Sequence, residues 1–133
     1  IVVSIDVKKD IFGRYRVFTH RGRIDTGIDP VEFASRMENS GSGEIFLTAI
    51  DRDGTYGGYD TEIIKKVSAA VNIPVIACGG ARNTDDFAAA VDSGASAVAA
   101  GSLFIFHGKD RAVLINFPSQ DELKIKLWAR ANE

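Results

Sequence analysis

Four short apolar runs constrain the fold of this chain more than anything else in it: IVVSID at 1–6, EIFLTAID at 44–51, PVIAC at 74–78 and AVAAG at 97–101. They lack the alternation of a half-exposed strand, and their length suits strands buried on both faces. Between them the spacing turns helical. Asp29 is placed to cap a helix, Pro30 fits its first turn, and Val31, Phe33, Ala34 and Met37 keep helical spacing over 30–39. Ser40 to Gly43 ends that helix. Asp60 and Thr61 open a second, with an apolar stripe of Ile63, Ile64, Val67, Ala70 and Val71. A third starts at Asn83 or Thr84, carries Phe87, Ala88 and Val91, and closes at Ser93-Gly94. Strands alternating with helices in this order predict βα units around a parallel sheet, an α/β fold.

After the first strand, Gly13 and the β-rich run 14–19 read as a β-hairpin excursion, and a last helix is expected over 121–130. SGSGEIFLTA at 40–49 aligns with SGASAVAAGS at 93–102, an offset of about 53 residues that spans two βα units and points to a duplicated block. Four units amount to half of a (βα)8 barrel of the TIM-barrel kind. Alone, this (βα)4 half-barrel leaves two open sheet edges and one uncovered apolar face, which an N-terminal half or a second copy of the chain would cover. The chain opens directly on its first strand, and its one methionine, Met37, lies in a later segment, so 1–133 is expected to be the later portion of a longer protein.

Apolar residues make up 45% of the chain, enough for a packed core, and 133 residues place that core in one domain or part of one. Sixteen basic against 18 acidic residues give a net charge of -2, too balanced to hold nucleic acid or a membrane surface by bulk electrostatics. No apolar run approaches the roughly 18 residues of a membrane span. The single cysteine, Cys78, cannot form an intrachain disulfide, so the expected location is cytoplasmic.

Functional groups in such a barrel gather at the C-terminal ends of the strands. Here those positions hold Asp6, then Asp51 and the loop Asp53-Gly54-Thr55, then Gly79-Gly80, then Gly101-Ser102. Asp6 tips an apolar strand, where a carboxylate needs either a partner, such as Lys8, Lys9 or Arg52, or a chemical role. Small residues at two successive strand ends suit a phosphate site, since backbone N–H groups must approach the oxyanion without a Cβ in the way. The same glycines also serve a tight strand-to-helix turn. Cys78 reads as a small, mostly buried thiol, and His20 and His107 lack metal-ligand spacing, so no metal site is expected. Glu44 places a charge at the opposite end of its strand, where plain solvent exposure is the alternative to a role.

IVVSID, GEIFLTAIDRDGTYGGYDTE, PVIACGGARNTDDF and SGASAVAAGSLF together resemble the C-terminal half of the cyclase subunit of imidazole glycerol phosphate synthase over about 1–106. The resemblance implies a barrel that takes ammonia from a partner glutaminase and uses it, without a cofactor, on an aminoimidazole carboxamide ribonucleotide with two phosphates. The implied products are imidazole glycerol phosphate, for histidine synthesis, and a ribonucleotide returned to purine synthesis. Two aspartates of that family act as general acid and base, and Asp6 matches the one on the fifth strand. By the same resemblance Thr48, Asp53, Gly54 and Thr55 line the substrate site, Gly79, Gly80, Gly101 and Ser102 hold one phosphate, and Glu44 matches a charged residue at the floor where ammonia enters.

Two features depart from that pattern. Cys78 stands where a serine is usual, and a thiol is the poorer hydrogen-bond donor. The tail FIFHGKDRAVLINFPSQDELK looks more like a cyclase-like branch associated with amidation of a surface sugar. A third possibility is a catalytically silent half-barrel that binds phosphate and self-associates.

Overall fold

The structure is a computed structural model that describes residues 1–108 and 110–128, the last of these by its backbone alone. Strand β1 (Val2–Lys9) is followed by the antiparallel β2 (Tyr15–Thr19) and the short β3 (Ile24–Asp25). Three βα steps come next: α1 (Pro30–Asn39) into β4 (Glu44–Ala49), α2 (Thr61–Ala70) into β5 (Val75–Cys78), and α3 (Thr84–Asp92) into β6 (Ala97–Ala99). The sheet order is β3-β2-β1-β4-β5-β6, with β1, β4, β5 and β6 parallel. Four parallel strands with helices on their outer face make about half of a (βα)8 barrel, and β1–β2 is the hairpin excursion expected after the first strand.

Local chemistry sets the helix starts. Asp29 accepts from Val31 N and Glu32 N with Pro30 in the first turn, Asp60 accepts from Ile63 N, and Asn83 accepts from Asp85 N and Asp86 N. These side chains satisfy amides that have no partner within the helix. The core lies between the helices and one face of the sheet: Ile5, Val7, Ile45, Leu47, Val75 and Ala77 pack with Ala34, Ile63, Ile64, Val67, Phe87 and Ala90.

The expectation of strands buried on both faces is overturned. Along β1, Ile5 and Val7 are fully buried, whereas Ser4 is exposed and Asp6 and Lys8 are half-buried. β4 and β5 alternate in the same way, because no element among the described residues covers the second face of the sheet. The edges are open where expected: β2 pairs β1 only from Asp6 to Lys9, and β6 has a neighbour on one side only.

Strand limits also shift. β1 runs on to Lys9 because its end is paired in the hairpin, and β4 stops at Ala49, whose carbonyl accepts from Arg52 N and Asp53 N in the turn that follows. β6 stops at Ala99, two residues short of Gly101. The tail holds a short helix α4 (Ser102–Ile105) and an unforeseen two-stranded hairpin, β7 (Phe106–His107) with β8 (Ala112–Val113). The expected last helix begins at α5 (Gln120–Leu123) and continues as a π-helical turn over Lys124–Trp128; positions 129 and 130 lie outside the described residues. None of the described helices is long and apolar enough to cross a membrane.

Candidate functional site

Strand register puts the candidate residues in rows across the uncovered face. Asp6 pairs laterally with Thr48, Thr48 with Cys78, and Cys78 with Ala99, so one row crosses all four parallel strands near their C-terminal ends. Ser4, Phe46, Ile76 and Ala97 form the row beneath. Glu44 pairs with Val2 below that, half-buried. Four residues separate Glu44 from Thr48, about 13 Å along the strand. The floor position and the Asp6 row therefore occupy opposite ends of one face.

The Asp6 row has its own electrostatics. Partial burial pushes the Asp6 carboxyl up from its ordinary value, because the charged form loses hydration. Burial also pushes the Cys78 thiol up, and the negative charges of Asp53 and Asp6 add to this against a hydrogen bond with Thr48. At neutral pH Cys78 is a thiol, not a thiolate nucleophile.

Beside this row the loop ends converge on a small cleft. Asp53, Gly54, Gly79, Gly80, Gly101 and Ser102 all line it, together with Tyr56. Six of the eight residues expected at the substrate and phosphate positions are thus brought to one place. Thr48 lies in the row next to it. Thr55 is exposed, and its hydroxyl serves the loop itself, donating to Arg52 O at 2.7 Å and accepting from Gly57 N at 3.1 Å.

The glycines are not equivalent. Gly79 and Gly80 have φ of +97° and +101°, and a Cβ on Gly79 would sit 2.6 Å from the Ala49 carbonyl oxygen. A Cβ on Gly80 would collide with the carbonyl of Gly58, whose N–H donates to Gly80 O at 2.7 Å. Packing alone therefore demands glycine at both. Gly101 has φ of -114°, and its Cβ would meet nothing within 4 Å. The fold does not require glycine there.

A buried network behind the cleft had no signal in the sequence beyond the cap at Asp60. Asp60 is 7% exposed and its Oδ1 and Oδ2 lie 2.8 and 2.9 Å from the Tyr15 hydroxyl, which donates to them, while Arg52 Nε lies 3.5 Å from Oδ2. Arg52 Nη1 also donates to Gly58 O at 3.3 Å. The hairpin, the loop after β4 and the turn at Gly80 are thereby tied together. Tyr56 OH donates to Ser102 O at 2.9 Å and Tyr59 OH to Ala99 O at 2.7 Å, fixing the same loop to the end of β6. The buried Tyr15 hydroxyl thereby finds the partner that an inward tyrosine needs. No group of three or more His, Cys, Asp or Glu among the described residues is arranged to hold a metal ion.

Comparison with known proteins fits this geometry. The family model for histidine biosynthesis proteins matches residues 1–110. The imidazole glycerol phosphate synthase subunit HisF of Endomicrobium trichonymphae is 54% identical over 104 residues, 78% of this chain and 40% of its own length. The Pseudomonas aeruginosa protein that bears the provisional name imidazole glycerol phosphate synthase subunit hisF2 is 45% identical over 126 residues, 94% of this chain and 50% of its own. A similarly named Vibrio vulnificus protein, hisF3, is 44% identical over 126 residues, 93% of this chain and 48% of its own. The chain thus spans about half the length of the curated relatives it matches.

Proposed function

The chain belongs to the histidine biosynthesis protein family, and from that premise we propose that residues 1–133 form the C-terminal half of the barrel of an ammonia-using cyclase that makes imidazole glycerol phosphate. The observation that carries this reading is the shared end of the sheet: the Asp6–Thr48–Cys78 row stands beside one glycine-lined cleft.

In this reading the cleft grips one phosphate of a bis-phosphorylated aminoimidazole carboxamide ribonucleotide. Backbone N–H groups at Gly80, Gly101 and Ser102 supply donors, and Asp53, Gly54 and Thr55 border the ligand. Asp6 handles protons at the reacting end. Its raised carboxyl keeps a proton to higher pH than an ordinary aspartate, which suits a general acid during ring closure and C–N cleavage. Once it has given up that proton it becomes the base that recovers one. The second carboxyl group of the pair is contributed by the N-terminal half of the barrel. Ammonia from a glutaminase partner enters past Glu44 at the floor and travels along the uncovered face to the Asp6 row. No cofactor is needed for this chemistry.

Ammonia-dependent turnover of that ribonucleotide by the full-length protein is the direct test. Activity supports the reading, and silence from a folded full-length protein removes it. The tail is the ground for a second reading. HisF of Endomicrobium trichonymphae aligns over 104 residues, whereas hisF2 and hisF3 align over 126, through the tail. A cyclase-like branch that serves amidation of a surface sugar would keep the barrel, the phosphate grip and the glutaminase while changing the substrate. Failure of the full-length gene to complement a histidine auxotroph, with phosphate binding intact, selects this branch. The uncovered face and free edges also support self-association of the 133-residue chain, and a strict, soluble monomer in sedimentation velocity would refute that.

A further inference from the structure

The tail hairpin does more than extend the fold. It builds a second cavity of about 540 Å³ against the cleft, and Tyr56 and Leu103 line both spaces. Its other walls include Arg82, Phe106, His107 and Arg111, and no carboxylate among the described residues lines it. Arg111 is held in place twice: Nη2 donates to Gly54 O at 3.0 Å, and the guanidinium lies 5.2 Å over the Tyr56 ring. Arg82 is oriented by a fork onto Asp86, with Nε at 3.0 Å and Nη2 at 2.7 Å. These contacts leave each guanidinium with further N–H donors beyond the bonds described. His107 adds a polar atom in need of an explanation, since its Nε2 is buried with no hydrogen-bond partner among the described residues.

Two fixed guanidinium groups and an unsatisfied imidazole nitrogen, directly beside a glycine cleft suited to one phosphoryl group, have the chemistry of a second anion subsite. We propose that this cavity binds a second phosphoryl group joined to the first, so that a diphosphate anion binds here more tightly than orthophosphate does. A second, separate phosphate on the same two arginines would use the same chemistry, and a covalent diphosphate distinguishes itself by binding as one ligand at one stoichiometric equivalent. The inference rests on the reading of the glycine cleft as a phosphate site. It also assigns a task to Arg111, which lies just past the family match that ends at residue 110.

Calorimetric titration of the full-length protein with orthophosphate and with pyrophosphate tests this. Pyrophosphate should bind one to one and at least about tenfold more tightly than orthophosphate, the gain expected from added charge-assisted hydrogen bonds. Arg111→Gln should abolish that preference, lowering pyrophosphate affinity by a larger factor than orthophosphate affinity, and Arg82→Gln should reduce it. Equal affinity for the two anions, or a preference that survives in the double variant, overturns the second subsite while sparing the first. Binding of two orthophosphates with no pyrophosphate advantage overturns the diphosphate and leaves two separate anion sites. Failure of the wild-type protein to bind either anion removes the glycine-cleft reading and this inference with it.

Discussion

A Cβ added at Gly101 separates ligand binding from folding. At that position φ is -114° and the Cβ points into open space, so the folded chain accepts alanine without strain. Gly101→Ala should hold stability to within about 1 kcal/mol, with a small gain favoured because alanine narrows the unfolded ensemble. Gly101 lines the cleft, so under the proposed function the new methyl group crowds an oxyanion seated there against the N–H groups at the start of α4. Losing one charge-assisted hydrogen bond costs about 1.5–3 kcal/mol, roughly 10- to 100-fold in Kd. Gly80→Ala gives the opposite pattern. With φ at +101° and the Gly58 carbonyl in the way, it should lower stability by at least about 1–3 kcal/mol, and any loss of binding there is inseparable from loss of structure. The assay is urea unfolding beside calorimetric titration with orthophosphate, on both variants of the full-length protein. Wild-type affinity in a fully folded Gly101→Ala protein would refute the argument, because a methyl group cannot share that space with a bound phosphate.

Three further outcomes follow from the same geometry. Asp6→Asn in the full-length protein should lower kcat by about 10²- to 10⁴-fold with KM within a few-fold, and near-normal steady-state turnover would take Asp6 out of the proton chemistry. Hydrogen bonds from Lys66, Lys9 and Tyr15 lower the Glu62 carboxyl to about 2 from its ordinary 4.5. Its contribution to stability is complete above the ordinary value and is lost as pH falls toward 2, so urea midpoints of Glu62→Gln should show a shallower acid limb than wild type; parallel limbs would contradict this. Asp60→Ala removes a helix cap and leaves the buried Tyr15 hydroxyl only its longer contact with Glu62 at 3.1 Å, which should cost about 1–2 kcal/mol, and a loss under about 0.5 kcal/mol in chemical denaturation would show the network to be idle.

What could be read from the sequence was what local chemistry decides. Asp29-Pro30, Asp60 and Asn83 mark helix starts because the cap and the first turn lie within three residues of each other. Ile5 and Val7 could not be separated by hydrophobicity from Phe46 and Ile76, although the first two are fully buried and the others half-buried on the open face. Which face is covered depends on where the chain returns, and that is not a property of any strand. The Tyr15–Asp60 and Arg111–Gly54 bonds span 45 and 57 residues, so no local pattern announces them. Gly79, Gly80 and Gly101 looked alike as strand-end glycines, and only their backbone angles and neighbours tell a required turn from an open approach.

The internal repeat and the strand register together constrain the shape of any barrel this sheet would close into. Both copies end their first helix in the same way: Ser40 Oγ donates to Arg36 O at 2.8 Å and Ser93 Oγ to Ala89 O at 2.7 Å, and Gly41 and Gly94 follow with φ of +91° and +103°. The alignment makes Gly101 the counterpart of Thr48, yet the lateral neighbour of Thr48 through Cys78 is Ala99. Equivalent residues are therefore staggered by two positions over two strand steps. Continued around a closed sheet, one position per strand gives a shear of about eight, the value of an eight-stranded parallel barrel. This stagger lifts Gly101 and Ser102 above the Asp6 row, toward the rim. Three strand spacings also part β6 from β1, about 14 Å across the sheet. Under the proposed function, a ligand held by a phosphate at the rim and attacked beside Asp6 must be long enough to span that gap, which an extended ribonucleotide with a phosphate at each end is and a small monophosphate is not.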